Sequence, residues 1–314
     1  MAYDLISRRN LLRGVAGVTA AAIGATGALG EISSVAAVTL PTITGVVSSS
    51  SGLNLRIGPR ATQPVVKWLP NGTPLKVRGT SGDWFKVTSL GLTGWVNSWY
   101  VLLNGTKSTE VRRGNTAIKR VALTFDCGAD LGYTDQILAT LAKHGIRASF
   151  GMTGTWMAAH PDEAKKIAAG GYQFINHTLN HPSYTGASTP GTGPSSPAKR
   201  LAQIQANENA IRAATGMIAK PYWRPPYGDI DSGVLRDVGA LGYSKTAMWT
   251  IDSLGWNGLT ADEIYQRVMN NMVWGAIVLM HVGAASQDAN ALERIIWQLE
   301  TQGYAFATVA EVTA

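Results

Sequence analysis

Val121-Ala122-Leu123-Thr124-Phe125-Asp126-Cys127-Gly128 is an apolar run that carries straight into a carboxylate and a turn-forming glycine. A short apolar stretch that stops at a turn residue reads as a buried strand. Outward from it, Tyr133 to His144 has helical periodicity and halts at Gly145. Ala148-Ser149-Phe150 is the next strand, followed by a helix through Ala168-Ala169. Tyr172 to Ile175 is a third strand, and Ala198 to Thr215 is a long helix closed by Gly216. Thr246-Ala247-Met248-Trp249 and Ala276-Ile277-Val278-Leu279 are later strands, and Ala291 to Thr301 is a last helix. Alternating strand and helix units over residues 118–314 predict an α/β domain with a parallel sheet, open or closed into a barrel. In such barrels reactive side chains follow the strands, on the loops that lead into the helices.

Residues 46–103 have a different texture. Leu53-Asn54-Leu55-Arg56, Pro64-Val65-Val66, Leu75-Lys76-Val77, Trp84-Phe85-Lys86-Val87 and Gly94-Trp95-Val96 are strand-sized runs parted by Gly, Pro and Asn, which predicts a small all-β barrel. Its opening, Leu53 to Pro59, and its closing Gly94-Trp95-Val96 resemble bacterial SH3-like domains. That resemblance implies a module that binds cell-wall peptides or glycans, or one that spaces the catalytic domain. Residues 38–45 read as a linker, and the polar stretch 104–117 as a second linker.

The 314 residues carry a formal net charge of +7, with 45% hydrophobic and 15% charged residues. The basic residues are spread along the chain rather than gathered in an arm. A diffuse positive field suits an anionic envelope polymer, and no nucleic-acid module is read from it. Ser7-Arg8-Arg9-Asn10-Leu11-Leu12-Arg13 precedes an uncharged, Ala- and Gly-rich stretch from Gly14 to Gly30, with small residues at Val35-Ala36-Ala37. This predicts a twin-arginine export signal over 1–37, no lasting membrane span after cleavage, and a location in the cell wall, periplasm or medium. The alternative is a retained anchor helix. With Cys127 as the single cysteine, no intrachain disulfide can form.

Polar residues cluster at the predicted strand ends: Asp126 and Cys127; His177 and His181, four apart as on one face of a helical turn; Arg224 in the stiff Trp223-Arg224-Pro225-Pro226-Tyr227-Gly228; Asp252 before Trp256; and His281 after Leu279-Met280. Any one of these has a structural explanation. All five in this order make that explanation poor. The chain resembles the NodB-like polysaccharide deacetylases, carbohydrate esterase family 4, whose five motifs read about TFDDG, HxxxH, RxPY, DxxDW and LxH.

The resemblance implies a distorted (β/α) barrel and hydrolysis of N-acetylated polysaccharide, peptidoglycan ahead of a chitin-like glycan. His177 and His181 would hold one divalent metal, zinc favoured. Asp126 would be the general base, Arg224 its ion-pair partner, and His281 the general acid oriented by Asp252. The Tyr227 N–H would serve the oxyanion, and Pro226, Trp256 and Leu279 would contact substrate. Two positions depart from the pattern: Cys127 and Gly255 stand where the motifs have Asp. Cys127 as a thiolate ligand, Asp130 as a replacement carboxylate, and a metal-poor site remain open. An O-acetyl esterase of the xylan type and a catalytically impaired wall-binding protein are the competing functions.

Overall fold

A computed structural model describes residues 37–314 other than 129 and 190. The twin-arginine motif and its cleavage site lie outside the described residues, apart from Ala37. No helix among the described residues is long and apolar enough to cross a membrane.

The amino-terminal module is an antiparallel seven-stranded sheet. Its strands are β1 (Val38–Val47), β2 (Leu53–Arg56), β3 (Val65–Leu69), β4 (Pro74–Ser81), β5 (Trp84–Ser89), β6 (Leu92–Asn97) and β7 (Val101–Leu103), in the order β3-β2-β6-β5-β4-β1-β7. The expected linker at 38–45 is therefore a strand. β1 pairs with both β4 and β7, and buries Leu40, Ile43 and Val47. Its Thr and Val residues are β-branched, and they favour a pleated surface over a loose tether. The module's core is continuous with Ala198, Leu201 and Ile204, so it packs on the domain that follows.

The second sheet is parallel. It comprises β8 (Thr109–Val111), β9 (Arg120–Cys127), β10 (Ser149–Met152), β11 (Gln173–Asn176), β12 (Tyr222–Trp223), β13 (Lys245–Ala247), β14 (Ile251–Asp252), β15 (Ala276–His281) and β16 (Ala305–Phe306). The order is β14-β15-β9-β10-β11-β12-β13-β8, with β16 against β9. β8 lies inside the expected linker at 104–117. It buries only Val111, so its pairing with β13 rather than a local apolar pattern makes it a strand.

Helices α1 (Thr134–Lys143), α2 (Gly154–Ala159), α3 (Pro161–Ala169), α4 (Pro197–Thr215), α5 (Ser232–Ala240), α6 (Ala261–Asn270), α7 (Asp288–Thr301) and α8 (Val309–Val312) cover the sheet. Local chemistry sets their ends. The Ser196 hydroxyl accepts from the Lys199 N–H at the start of α4, with Pro197 in the first turn. Gly216, at φ 73°, ends that helix in the left-handed region open to glycine. Pro161 divides the helix expected through Ala168 into α2 and α3, because proline suits a first turn and not an interior.

Candidate active site

The site forms where the parallel strands end. Asp126 is the penultimate residue of β9 and His281 the last of β15, and the register of these strands sets the two residues side by side. β11 leads into His177 and β12 into Arg224, whose N–H donates to the Asn176 carbonyl. Side chains alternate faces along a strand. Leu123, Phe125 and Cys127 of β9 therefore enter the helix-facing core, whereas Ala122 joins the opposite cluster and Asp126 shares its face.

Asp126 is buried. Its Oδ1 accepts from Arg224 Nη1 at 2.7 Å, and its Oδ2 lies 3.5 Å from His177 Nε2. Burial, the largest single influence, would raise its pKa. The Arg224 charge foremost, with its hydrogen bond and the attraction of His177 and His281 in their protonated forms, outweighs it and holds the carboxyl below its ordinary value. Arg224 is fully buried; its Nε donates to the Ala247 carbonyl at 2.9 Å, while Nη2 has no partner among the described residues. Gly151 leaves the room Asp126 needs, since a Cβ there would meet Oδ1 at 2.2 Å.

His177 Nδ1 donates to the Arg224 carbonyl at 3.0 Å, which leaves Nε2 with its lone pair. Burial lowers the pKa of His177 and is the main cause that presses that of His181 down to about 3, with repulsion from His177, were that ring protonated, acting the same way; both rings are therefore biased toward the neutral form. Their centroids are 4.7 Å apart, and the Tyr227 ring meets His181 edge-on at 4.6 Å. Thr178, His181, Tyr227 and Leu254 all have φ between 59° and 68°. For side chains other than glycine that conformation is strained, and four instances in the loops after the site strands mark where the fold stores strain. The Tyr227 N–H has no partner among the hydrogen bonds of the described residues.

His281 is partly exposed. Burial pulls its pKa down, but Asp288, Asp126 and Asp252 more than reverse this, and the net shift is upward. Its Nδ1 stands 3.9 Å from Asp288 Oδ2. An ionised carboxylate thus neighbours an imidazole biased toward its protonated form, which is the arrangement acid–base catalysis requires.

Residues 113–246 match the polysaccharide deacetylase family, and residues 51–101 match the bacterial SH3 domain. The peptidoglycan-N-acetylmuramic acid deacetylase PdaA of Bacillus subtilis is 31% identical over 207 residues, which cover 63% of this chain and 73% of that protein. The chain belongs to the polysaccharide deacetylase family. A peptidoglycan-N-acetylglucosamine deacetylase of Bacillus cereus is 32% identical over 192 residues, or 60% of this chain. The match spans 66% of that relative, just under two thirds of its length. A solved structure described as a CE4 family pseudoenzyme from Bacillus anthracis is similar with a TM-score of 0.59 at 29% identity, covering 66% of this chain and 69% of that one.

Within this deacetylase fold, Asp126, Arg224, His177, His181, Tyr227 and His281 come together as their motifs suggest. The expected metal set does not. Cys127 is wholly buried among apolar side chains, and burial followed by the Asp126 charge pushes its thiol pKa well up, so it is a poor thiolate. Asp130, the alternative carboxylate, accepts from the Ala284 N–H. Among the described residues no three His, Cys, Asp or Glu side chains converge on a metal position. Two neutral imidazoles with Asp126 already paired to Arg224 fall short of a three-ligand centre.

Other assignments also change. Asp252 spends its carboxylate on the Leu254 N–H at 2.9 Å and the Trp256 Nε1–H at 3.2 Å, and makes no hydrogen bond to His281. Pro226 and Leu279 are buried, whereas Trp256 is 46% exposed. Asp288 escaped the sequence reading. It lies seven residues past His281 at the start of a helix, where an acidic residue is ordinarily explained by the helix dipole.

Proposed function

We propose that this protein removes acetyl groups from N-acetylated sugars of peptidoglycan. The observation that carries the reading is the buried Asp126, held ionised by Arg224, beside His281 with its raised pKa on the adjoining strand. Asp126 takes a proton from water as its oxygen bonds to the acetyl carbonyl carbon. The Tyr227 N–H donates to the oxyanion that results. The carbon–nitrogen bond then breaks, with the electron pair going to nitrogen and a proton coming from His281, to leave acetate and a free amine. Proton donation is decisive because an unprotonated amide nitrogen is a very poor leaving group.

The relatives' printed activities on peptidoglycan support the substrate class. In the SH3-like module, a cavity of about 310 Å³ lined by Asn54, Arg56, Trp84 and Tyr100 supports wall binding. Export by the twin-arginine route rests on Arg8 and Arg9. A zinc ion at His177 and His181 would have two protein ligands, so weak retention is expected.

One observation favours a second reading. Cys127 stands where the first motif has Asp and lies in the core, and a pseudoenzyme is among the similar structures. A wall-binding protein without turnover would look like this at the metal position, although it would need neither the Asp126–Arg224 pair nor the acid. Acetate release from peptidoglycan and from an N-acetylglucosamine oligomer, with added zinc and with chelator, separates the two. Acetate formation that disappears in Asp126→Asn supports hydrolysis. Binding to sacculi with no acetate under any condition supports the second reading.

A further inference from the structure

Asp288 is wholly buried at the first position of α7, yet its carboxylate is not spent on that helix. Its Oδ2 accepts from the His281 backbone N–H at 2.8 Å and from the Ser286 hydroxyl at 2.8 Å. The same oxygen lies 3.9 Å from His281 Nδ1, beyond hydrogen-bond length. Asp288 Oδ1 and His281 Nδ1 are both buried, and neither has a hydrogen-bond partner among the described residues. A buried polar atom left unmatched is ordinarily destabilising. Two of them on neighbouring side chains mark a contact left open, and catalytic hydrogen bonds are often long before substrate binds.

A further observation comes from Gly255. A Cβ at that position would lie 2.3 Å from Ser286 Oγ and 2.8 Å from Asp288 Cγ. The buried carboxylate can occupy its place only because residue 255 has no side chain. Asp252, the other acid of that loop, is engaged by Leu254 and Trp256.

We propose that Asp288 is the positioning residue of His281: it accepts the Nδ1 proton, fixes the ring, and leaves Nε2 to deliver the proton to the leaving amine. Gly255 and Asp288 act as a pair, the missing side chain at one making room for the carboxylate at the other. A carboxylate on the far nitrogen sets both the tautomer and the orientation of an imidazole. The other groups acting on His281 are Asp126 on β9, Asp252 at the end of β14, and the neutral rings of His177 and His181. None of these is in hydrogen-bond contact with Nδ1.

The inference rests on His281 being the acid of the proposed reaction, so its first test does not depend on turnover. Nitrogen-15 NMR of the histidines in the intact protein, with His281 assigned by comparison with His281→Gln, should show neutral His281 protonated on Nδ1. A neutral ring protonated on Nε2 overturns the proposal whether or not acetate is ever released. The second test is Asp288→Asn. Turnover of an N-acetyl amide should fall about 10²-fold with KM little changed. The alkaline limb of kcat/KM should move to lower pH, because a negative charge that stabilised the imidazolium is gone. An activated acetyl ester, which needs little protonation, should lose far less. Equal losses on amide and ester with an unmoved alkaline limb would make Asp288 a structural residue only and sink the proposal. Should Asp288→Asn fail to fold, the NMR result alone decides.

Discussion

Asp126 and Cys127 are joined by one peptide bond and belong to different regions of the molecule. On the Asp126 side of the sheet the carboxylate is met by polar groups: Arg224 at 2.7 Å, His177 at 3.5 Å, and His281 across the strand pair. On the Cys127 side the apolar cluster includes Phe125, Met152, Trp156 and Met280, and among the described residues the only polar contact of the thiol is a weak one to the Phe125 carbonyl at 3.9 Å. The alternation of side chains along a strand separates them, and it makes one face a reactive surface and the other packing. Adjacency in sequence thus says little about shared chemistry when two residues straddle a strand.

The largest effect should come from the charged face. Asp126→Asn is expected to lower turnover by roughly 10²- to 10⁴-fold, as removal of a general base does. Asp126→Ala should also lower stability by about 3–5 kcal/mol, because Arg224 would remain as a buried charge without its partner. Acetate release and denaturant unfolding of both variants check this. Normal turnover in Asp126→Asn would break the division between the faces.

Next, His281→Ala should reduce amide hydrolysis by about 10²-fold or more, and hydrolysis of an activated acetyl ester by much less. Equal losses on the two substrates would remove His281 from the role of acid. The pH profile sharpens the same point. Asp126 titrates below the ordinary carboxylate value, so the acid limb should lie under about pH 3.9 if the enzyme stays folded there. His281 titrates above the ordinary imidazole value, so activity should persist past about pH 6.5 before the acid form is lost.

The smallest effect belongs to the packing face. Cys127→Ser should cost about 1–3 kcal/mol by placing a hydroxyl in an apolar layer. Turnover by the folded fraction and zinc content should be unchanged, and the native thiol should resist a thiol reagent until the protein unfolds. Loss of zinc on this substitution would return Cys127 to the site face and undo the comparison.

Much of this was legible along the chain. The apolar runs ending at Phe125 and Leu279 and the helix closed by Gly216 locate strands and helices by local period and cap chemistry. The five motifs identify Asp126, His177, His181, Arg224 and His281 by residue type and order. Those features are short-range, and strand and helix periods express them directly. What escaped depends on contacts between distant segments. β8 is a strand because β13 lies beside it. β1 is a strand because β4 and β7 flank it. The exclusion of Cys127 from the site follows from which face of β9 the helices cover.

Asp288 is the clearest instance. By itself the sequence determined that an acid, a base and two imidazoles would gather at the ends of parallel strands, because a β/α repeat delivers every strand end to one rim. Only the tertiary structure decided which carboxylate stands by His281. Asp252 falls within a motif and turns to Trp256, while Asp288 falls in none and lies 3.9 Å from the imidazole Nδ1, beside the space left by Gly255. That outcome is set by side-chain volume and hydrogen-bond partners across β14, β15 and α7, and no stretch of the chain carries it alone.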